Sequence, residues 1–235
     1  MSGRRLSPLT LLTLLAALGF VLVVLLSTGW TPPPLPANPY LEQPASDTGA
    51  ANLVAGIYLN YRLFDSLLEI LVFSVAVVGV RHYLQRREIP PDSRLVESEV
   101  VRTSARILFP LALILGLYLT LFGHIGPGGG FVGGIIAASG LLLCSIAYGV
   151  GQIERSVPRI ALVLGESGAL LVLLLVAVLP VALGRLPLVD MLPKGHAGNL
   201  LSGGMIALFN GLIAVKVLVG SWLILLSFVR HRGEI

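Results

Sequence analysis

The sequence predicts an all-α polytopic membrane protein with six transmembrane helices and both termini cytoplasmic. Three observations predict it. Hydrophobic residues make up 55% of the 235-residue chain and charged residues only 12%, with a mean hydropathy of +0.91, whereas a soluble domain carries about 25% charged residues. Six apolar segments, approximately 7–29, 62–81, 104–123, 130–150, 159–183 and 200–228, are each long enough to cross a hydrocarbon core of about 30 Å as a helix of roughly 20 residues. Finally, with both ends inside, 12 of the 16 Lys and Arg residues fall on the cytoplasmic side, only Arg62, Arg185 and Lys194 fall outside, and Lys216 lies within a span. That asymmetry is the positive-inside pattern, and it accounts for the pI of 9.6 without a nucleic-acid surface.

Taken in chain order, residues 1–30 form an N-terminal anchor. MSGRR precedes an apolar run longer than the 7 to 15 residues typical of a secretory signal, and no A-x-A cleavage site comes after it. Residues 31–61 form an extracytoplasmic connector, rich in proline at first and expected to be extended and exposed. Its last part, LVAGIYLNYRLFD, alternates weakly and is expected along the interface. Residues 62–84 hold the second span, and 85–98 (QRREIPPDSRLVES) are a cytoplasmic linker. The four remaining spans lie in 99–235, so a two-span piece is joined to a four-span piece.

Charges inside spans carry the functional information, because each costs about 2.5 to 3.5 kcal/mol at mid-helix without a partner or water. YRLFDSLLEILVF sets Arg62, Asp65 and Glu69 at steps of three and four, on one helical stripe. Arg62 and Asp65 can pair near the outer surface. Glu69 lies about 12 Å along the axis from Tyr61 and has Phe73 at i+4, so it has no partner one turn deeper. It is either a protonatable station of a proton relay or a structural pair with a neighbouring helix. Lys216, in FNGLIAVKVLVGSW, is too deep to snorkel; it is either a switchable charge or the partner of an acidic side chain in the bundle. Glu166, about two turns into the fifth span, is expected to line a polar cavity. Asn210 is a candidate for a hydrogen bond across helices. Cys144 has no second thiol to pair with and reads as a small packing residue.

Between the third and fourth spans stands GHIGPGGGFVGG. A phosphate loop needs Lys and Ser or Thr after its last glycine, and neither is present here. Pro127, Gly128, Gly129 and Gly130 predict a helix that ends near Gly123, a tight turn, and re-entry. The G-x-x-x-G spacings of Gly130 with Gly134 and Gly129 with Gly133 permit close helix approach. His124, at the break, is either an interfacial cap or a titrating group beside a pathway. The other histidines are isolated, and the sequence contains no metal-spaced cluster, no Ser/His/Asp set and no cofactor motif, which argues against an enzyme.

GHIGPGGGFVGG, preceded by RTSARILFPLALILGLYLTLF and followed by GESGALLVLLL, resembles the MnhB/MrpB subunit of multisubunit cation/proton antiporters, whose form is G-H-x-x-P-G-G-G-F-x-G-G. The likeness spans about 99–230. Upstream, YRLFDSLLEILVF resembles the R-x-F-D-T-x-x-E pattern of the C-terminal part of the large A subunit, equivalent to the E subunit of membrane-bound hydrogenases. Arg62, Phe64, Asp65 and Glu69 fill the matching places, with Ser66 where Thr is common. Asn210 stands where many antiporter subunits carry an acidic residue. The resemblance implies a cofactor-free, metal-free subunit of an Mrp-type assembly in the cell membrane, moving Na+ and H+ together with other subunits. It places Glu69, Asp65, Lys216, Glu166 and His124 on or near the proton and cation pathway. The alternative it implies is a non-transporting structural subunit in the membrane arm of a hydrogenase or related redox complex.

Overall fold

A computed structural model describes residues 8–27, 44–84, 98–185, 188 and 190–230. The predicted linker up to residue 97, the start of the proline-rich connector and both chain ends lie outside these. Among the described residues the α-helices run in order: α1 (Pro8–Ser27), α2 (Pro44–Thr48), α3 (Leu53–Gly56), α4 (Leu63–Leu84), α5 (Glu99–Leu121), α6 (Gly130–Tyr148), α7 (Val150–Ser156), α8 (Arg159–Val163), α9 (Ala169–Ala182) and α10 (Met205–Arg230). Two π-helical turns join neighbours, Ile57–Tyr61 between α3 and α4 and Leu164–Gly168 between α8 and α9.

Among the described residues, five helices are long and apolar enough to cross a membrane: Leu63–Leu84, Glu99–Leu121, Gly130–Tyr148, Ile160–Ala182 and Met205–Val229. They match the second to sixth predicted spans to within a few residues. The first predicted span corresponds to α1, a 20-residue helix that packs on α9 and the π turn before it. Its Phe20 stacks on Phe64 of α4, ring centroids 6.3 Å apart.

The centre of the bundle is α6, which packs mainly against α5 and α10. Its closest approaches are made at glycines. A Cβ on Gly133 would lie 2.5 Å from the Gly116 carbonyl oxygen of α5, and one on Gly130 would collide with the Asn210 carbonyl oxygen of α10. Gly134 meets Ala214 in the same way, at 2.7 Å, and Gly140 meets Ala112 at 2.9 Å. The two glycine faces therefore let α5 and α10 approach to backbone contact, the arrangement that replaces hydrophobic driving force between helices in lipid. Further along, Trp222 of α10 is buried and its indole N–H donates to Ser145 Oγ of α6 at 3.2 Å. Cys144 is buried beside Ala105 and Ala147, the packing role its sequence context predicts.

One stretch differs from expectation. The described part of the connector, from residue 44, is not extended and exposed; α2, α3 and the π turn are helical, and Thr48, Gly49 and Ala50 are buried. The reason is local. Asn52 caps α3, its Oδ1 accepting from the Val54 and Ala55 N–H groups at 3.0 and 3.3 Å, and the backbone then runs through the π turn almost directly into α4. The fourth predicted span ends close to its expected limit, at Gly149, whose φ of +88° breaks the helix before α7.

Replacing Gly130 with Ala is expected to cost about 1 to 3 kcal/mol through overpacking, while Gly151→Ala, where nothing lies within 4 Å of the added carbon, is expected to be neutral. Thermal unfolding of the two variants in detergent, measured by loss of helical circular dichroism, checks the difference.

Candidate functional site

Two polar regions stand out, one at the turn that joins α5 to α6 and one within the bundle. The turn forms as its glycines predict. The Gly129 N–H donates to Leu119 O at 3.0 Å, closing α5 back on itself, and Gly129 has φ of +138°, a conformation that favours glycine. Asn52, ahead of α3, anchors the turn: its side-chain amide donates to the carbonyls of Gly123 at 2.8 Å and Gly126 at 2.7 Å, and its backbone N–H donates to His124 O at 3.0 Å. Pro127 is exposed at the tip, and Gly128 and Gly129 bring the chain to the start of α6 at Gly130. There the Gly130 N–H donates to Asn210 Oδ1 of α10 at 2.9 Å, the interhelical bond expected of Asn210. The Asn210 amide nitrogen, fully buried, has no partner among the described residues.

His124 is fully buried and is not an interfacial cap. Its Nε2 lies 3.3 Å from the Asn199 carbonyl oxygen, which can only accept, so Nε2 is the donor in this contact. Its Nδ1 has no partner among the described residues. The loop from α9 to α10 wraps it, with the Gly203 backbone against the ring. His196, by contrast, is exposed, as its place beside Lys194 suggests.

The second region is an ionic cluster. Lys216 sits 11 residues into α10 and 14 from its end, so about 16 and 21 Å of helix separate it from the two ends. It is 1% exposed. Its ammonium lies 3.4 Å from Glu166 Oε1, and the other carboxylate oxygen of Glu166 lies 3.5 Å from Arg81 Nη1 of α4. One carboxylate thus bridges two cations from two other helices. Lys216 thus has an acidic side chain of the bundle beside it. Glu166 faces these cations, and its segment explains how. It lies at the middle of the π turn Leu164–Gly168, and an extra residue in a turn rotates the downstream helix by about 100°. Gly165 sits so close to Val219 that a Cβ would be 2.6 Å from its methyl carbon, which brings the π turn onto α10. Such π turns occur often at functional sites.

Glu69 is outside this cluster. Its side chain lies on the exposed face of α4, and no hydrogen bond or ion pair holds it among the described residues. The described residues therefore do not bury it. Asp65 pairs with Arg62 at the start of the same helix, both side chains more than half exposed, as their spacing predicts. Tyr58, on the π turn before α4, senses Glu69: burial raises its phenol above the ordinary value of about 10, and the Glu69 charge adds to the rise. The Tyr58 hydroxyl fills the place a Gly129 side chain would take, 2.5 Å from that carbon position, so it links the glycine turn to the α4 region.

Three contributors are not singled out by the sequence. Arg81 reads as one of many inner-loop cations, with no sign of a partner 85 positions away. Tyr58 sits in a weakly patterned stretch. Asn52 carries a usable signal, an Asn directly before an apolar helical run, but its reach across to the turn cannot be read from spacing.

A bundle of membrane-length helices that encloses a carboxylate between two cations defines a polytopic membrane protein with an ionic interior. A family model described as a domain related to the MnhB subunit of Na+/H+ antiporter matches residues 100–223, more than half of the chain, and the chain belongs to that family. Curated relatives include proteins named antiporter subunit mnhB2, 38% identical over 86 residues in Staphylococcus saprophyticus and 34% over 89 residues in Staphylococcus aureus. Each alignment covers 37% of this chain and 60% of the relative's length. Among solved structures, a chain of the membrane-bound sulfane sulfur reductase, an archaeal respiratory membrane complex, is 29% identical with a TM-score of 0.68, over 94% of this chain and 99% of that one. A chain of the Mrp complex from a Dietzia species has the same fold, with a TM-score of 0.65 at 22% identity, over 99% of this chain and 27% of that one.

Glu166→Gln is expected to destabilise the protein by about 3 to 5 kcal/mol, because it strands Lys216 without an anion. Lys216→Met should cost less, since Glu166 keeps Arg81, and the double variant should recover part of the loss. Denaturant titrations of the three variants measure this order. At alkaline pH, the Tyr58 phenol should ionise later than the other tyrosines, and Glu69→Gln should bring it earlier; ultraviolet difference titration against Tyr58→Phe checks both. Because the folded protein holds this proton more tightly, the associated stability is present below about pH 10 and is lost as pH rises above it.

Proposed function

We propose that the chain is a subunit of an Mrp-type assembly that exchanges monovalent cations, Na+ in the family's name, for protons across the cell membrane. Membership of the MnhB family carries this reading, and the enclosed cluster of Arg81, Glu166 and Lys216 supports it, since buried charges in a membrane bundle mark ion or proton pathways. In this proposal the chain makes and breaks no covalent bond; it contributes charge to a pathway shared with larger subunits, and needs no cofactor.

Glu69 is assigned as the protonatable station. It stands on the surface that another subunit must cover, and it takes up and releases a proton there. Glu166 and Lys216 set the potential it experiences, with Asp65 and His124 nearer the entrance. The turn at Pro127, Gly128, Gly129 and Gly130 holds the helices that carry these groups. The chain is further assigned six crossings with both termini inside, divided into an A-subunit-like module (62–84) and an MnhB domain (99–235) joined by the linker 85–98.

A second reading has its own support. The likeness to a chain of the archaeal sulfane sulfur reductase runs over nearly the whole length of both chains, which favours a place in the membrane arm of a redox complex, where the chain would join larger subunits without transporting. Co-purification separates the two: iron–sulfur or nickel–iron subunits indicate the redox arm, and their absence from a complex that exchanges cations indicates the antiporter.

Glu69→Gln in the assembled complex is expected to abolish cation-dependent proton flux, monitored with a pH-sensitive dye in inverted vesicles. Normal flux in a complex of correct composition would overturn the assignment of Glu69.

A further inference from the structure

The α4 helix has two unlike faces. Leu63, Leu67, Ile70, Ser74 and Val77 are buried against the bundle, while Glu69, Val72, Val75, Ala76 and Gly79 form an exposed stripe along the other side. Glu69 lies six residues past Leu63, about 9 Å along the axis, in a helix long and apolar enough to span the membrane. The exposed faces of the other spans differ from it. On α5, Ile107, Leu111, Ile114 and Tyr118 are exposed, and on α9, Val172, Leu175 and Leu179; those surfaces suit acyl chains. Arg106 is exposed near the start of α5, but its long side chain can reach back to the surface. A glutamate cannot reach so far, and a carboxylate facing lipid at depth costs about 2.5 to 3.5 kcal/mol or more.

We infer that the Glu69 stripe of α4 is the docking surface for a membrane-spanning helix of a different subunit, and that this helix places a lysine or histidine side chain opposite Glu69. Charge complementarity fixes the chemistry. Arg62, the cation nearest in sequence, is already engaged by Asp65, so Glu69 needs its base from outside. A second copy of this chain does not supply one. Two such stripes packed symmetrically set carboxylate near carboxylate, and His82, the exposed base on the same helix, is 13 residues from Glu69, about 20 Å away. Small residues define the approach. Ala76 lies seven residues beyond Glu69 and Gly79 three further, both exposed, and nothing lies within 4 Å of a Cβ built on Gly79. A partner helix can therefore come close along this side, as small residues permit in membranes. The base is a titratable one, so that the proton on the pair can move.

This inference rests on the proposed function: the interface on membership of a multisubunit assembly, and the choice of a titratable base on proton movement through it. Its test uses the intact complex in native membranes. Ala76→Cys, with Cys144→Ser to leave a single thiol, is labelled with a benzophenone maleimide, illuminated, and the adduct identified by mass spectrometry. The expected result is one adduct to a single different subunit, on a helix that carries Lys or His within about two turns of the linked site. The same label at Ile114→Cys on α5 should give lipid adducts. An adduct at position 76 with lipid alone, with a second copy of this chain, or with a helix that has no such base overturns the inference. Glu69 is unchanged in this protein, so the readout is independent of flux. An adduct of the expected kind with normal flux in Glu69→Gln would defeat the transport reading and leave the interface standing.

Discussion

The bundle depends on backbone contact along two faces of one helix. In lipid, apolar side chains gain little by turning toward one another, and close approach of backbones takes over the role that hydrophobic burial has in water. α6 provides that approach with Gly133 and Gly140 toward α5, and Gly130 and Gly134 toward α10. The turn before α6 is part of the same device. Asn210 Oδ1 takes the first free N–H of α6, and Asn52 takes two carbonyls of the turn, so irregular backbone at the helix ends is satisfied by protein, as it must be near hydrocarbon.

Because α6 fixes α10, it also fixes the depth of Lys216. Gly134 contacts Ala214 and Val217, the residues on either side of the lysine's turn, and that packing leaves Lys216 no route to either surface. The carboxylate has to come to it. The π turn at Leu164–Gly168 and the glycine beside Glu166 let it do so, and Arg81 closes the cluster from α4. Buried ion pairs are weak sources of stability, since the loss of hydration offsets much of the attraction. Apolar residues of the same size would avoid the cost of placing three ionisable groups here. Their presence is thus better explained by what a charge inside the membrane can do than by what it adds to folding.

The sequence made the helical class, the limits of five spans and the glycine turn legible, because each rests on local pattern: apolar length, and Pro127 followed by three glycines. The Arg62–Asp65 pair was legible for the same reason, being one turn apart. The cluster was legible only in part. Lys216 and Glu166 are conspicuous as charges in apolar runs, but their meeting depends on helix packing across 50 positions and on a π turn that no periodicity announces. The helical nature of 44–61 was hidden by the prolines before it, although Asn52 stood ready as a cap. Glu69 shows the limit most plainly. Its depth could be had by counting residues, yet which way it faced depended on the rotation of α4 against α10, where Phe73 meets Gly220.

That rotation separates the ionisable groups of this protein into two kinds. Those turned inward are paired within the chain: Glu166 has Lys216 and Arg81. Glu69 is turned outward and is paired with nothing among the described residues. An isolated carboxylate at depth is unstable against lipid unless it is protonated or covered, so a chain with this surface is physically incomplete by itself. The same reasoning explains why the unsatisfied group and the small residues Ala76 and Gly79 share one stripe: close approach of a neighbouring helix excludes lipid and brings a compensating group within reach. The interior carboxylate is matched within the chain, whereas the outward charge is left for the assembly to complete.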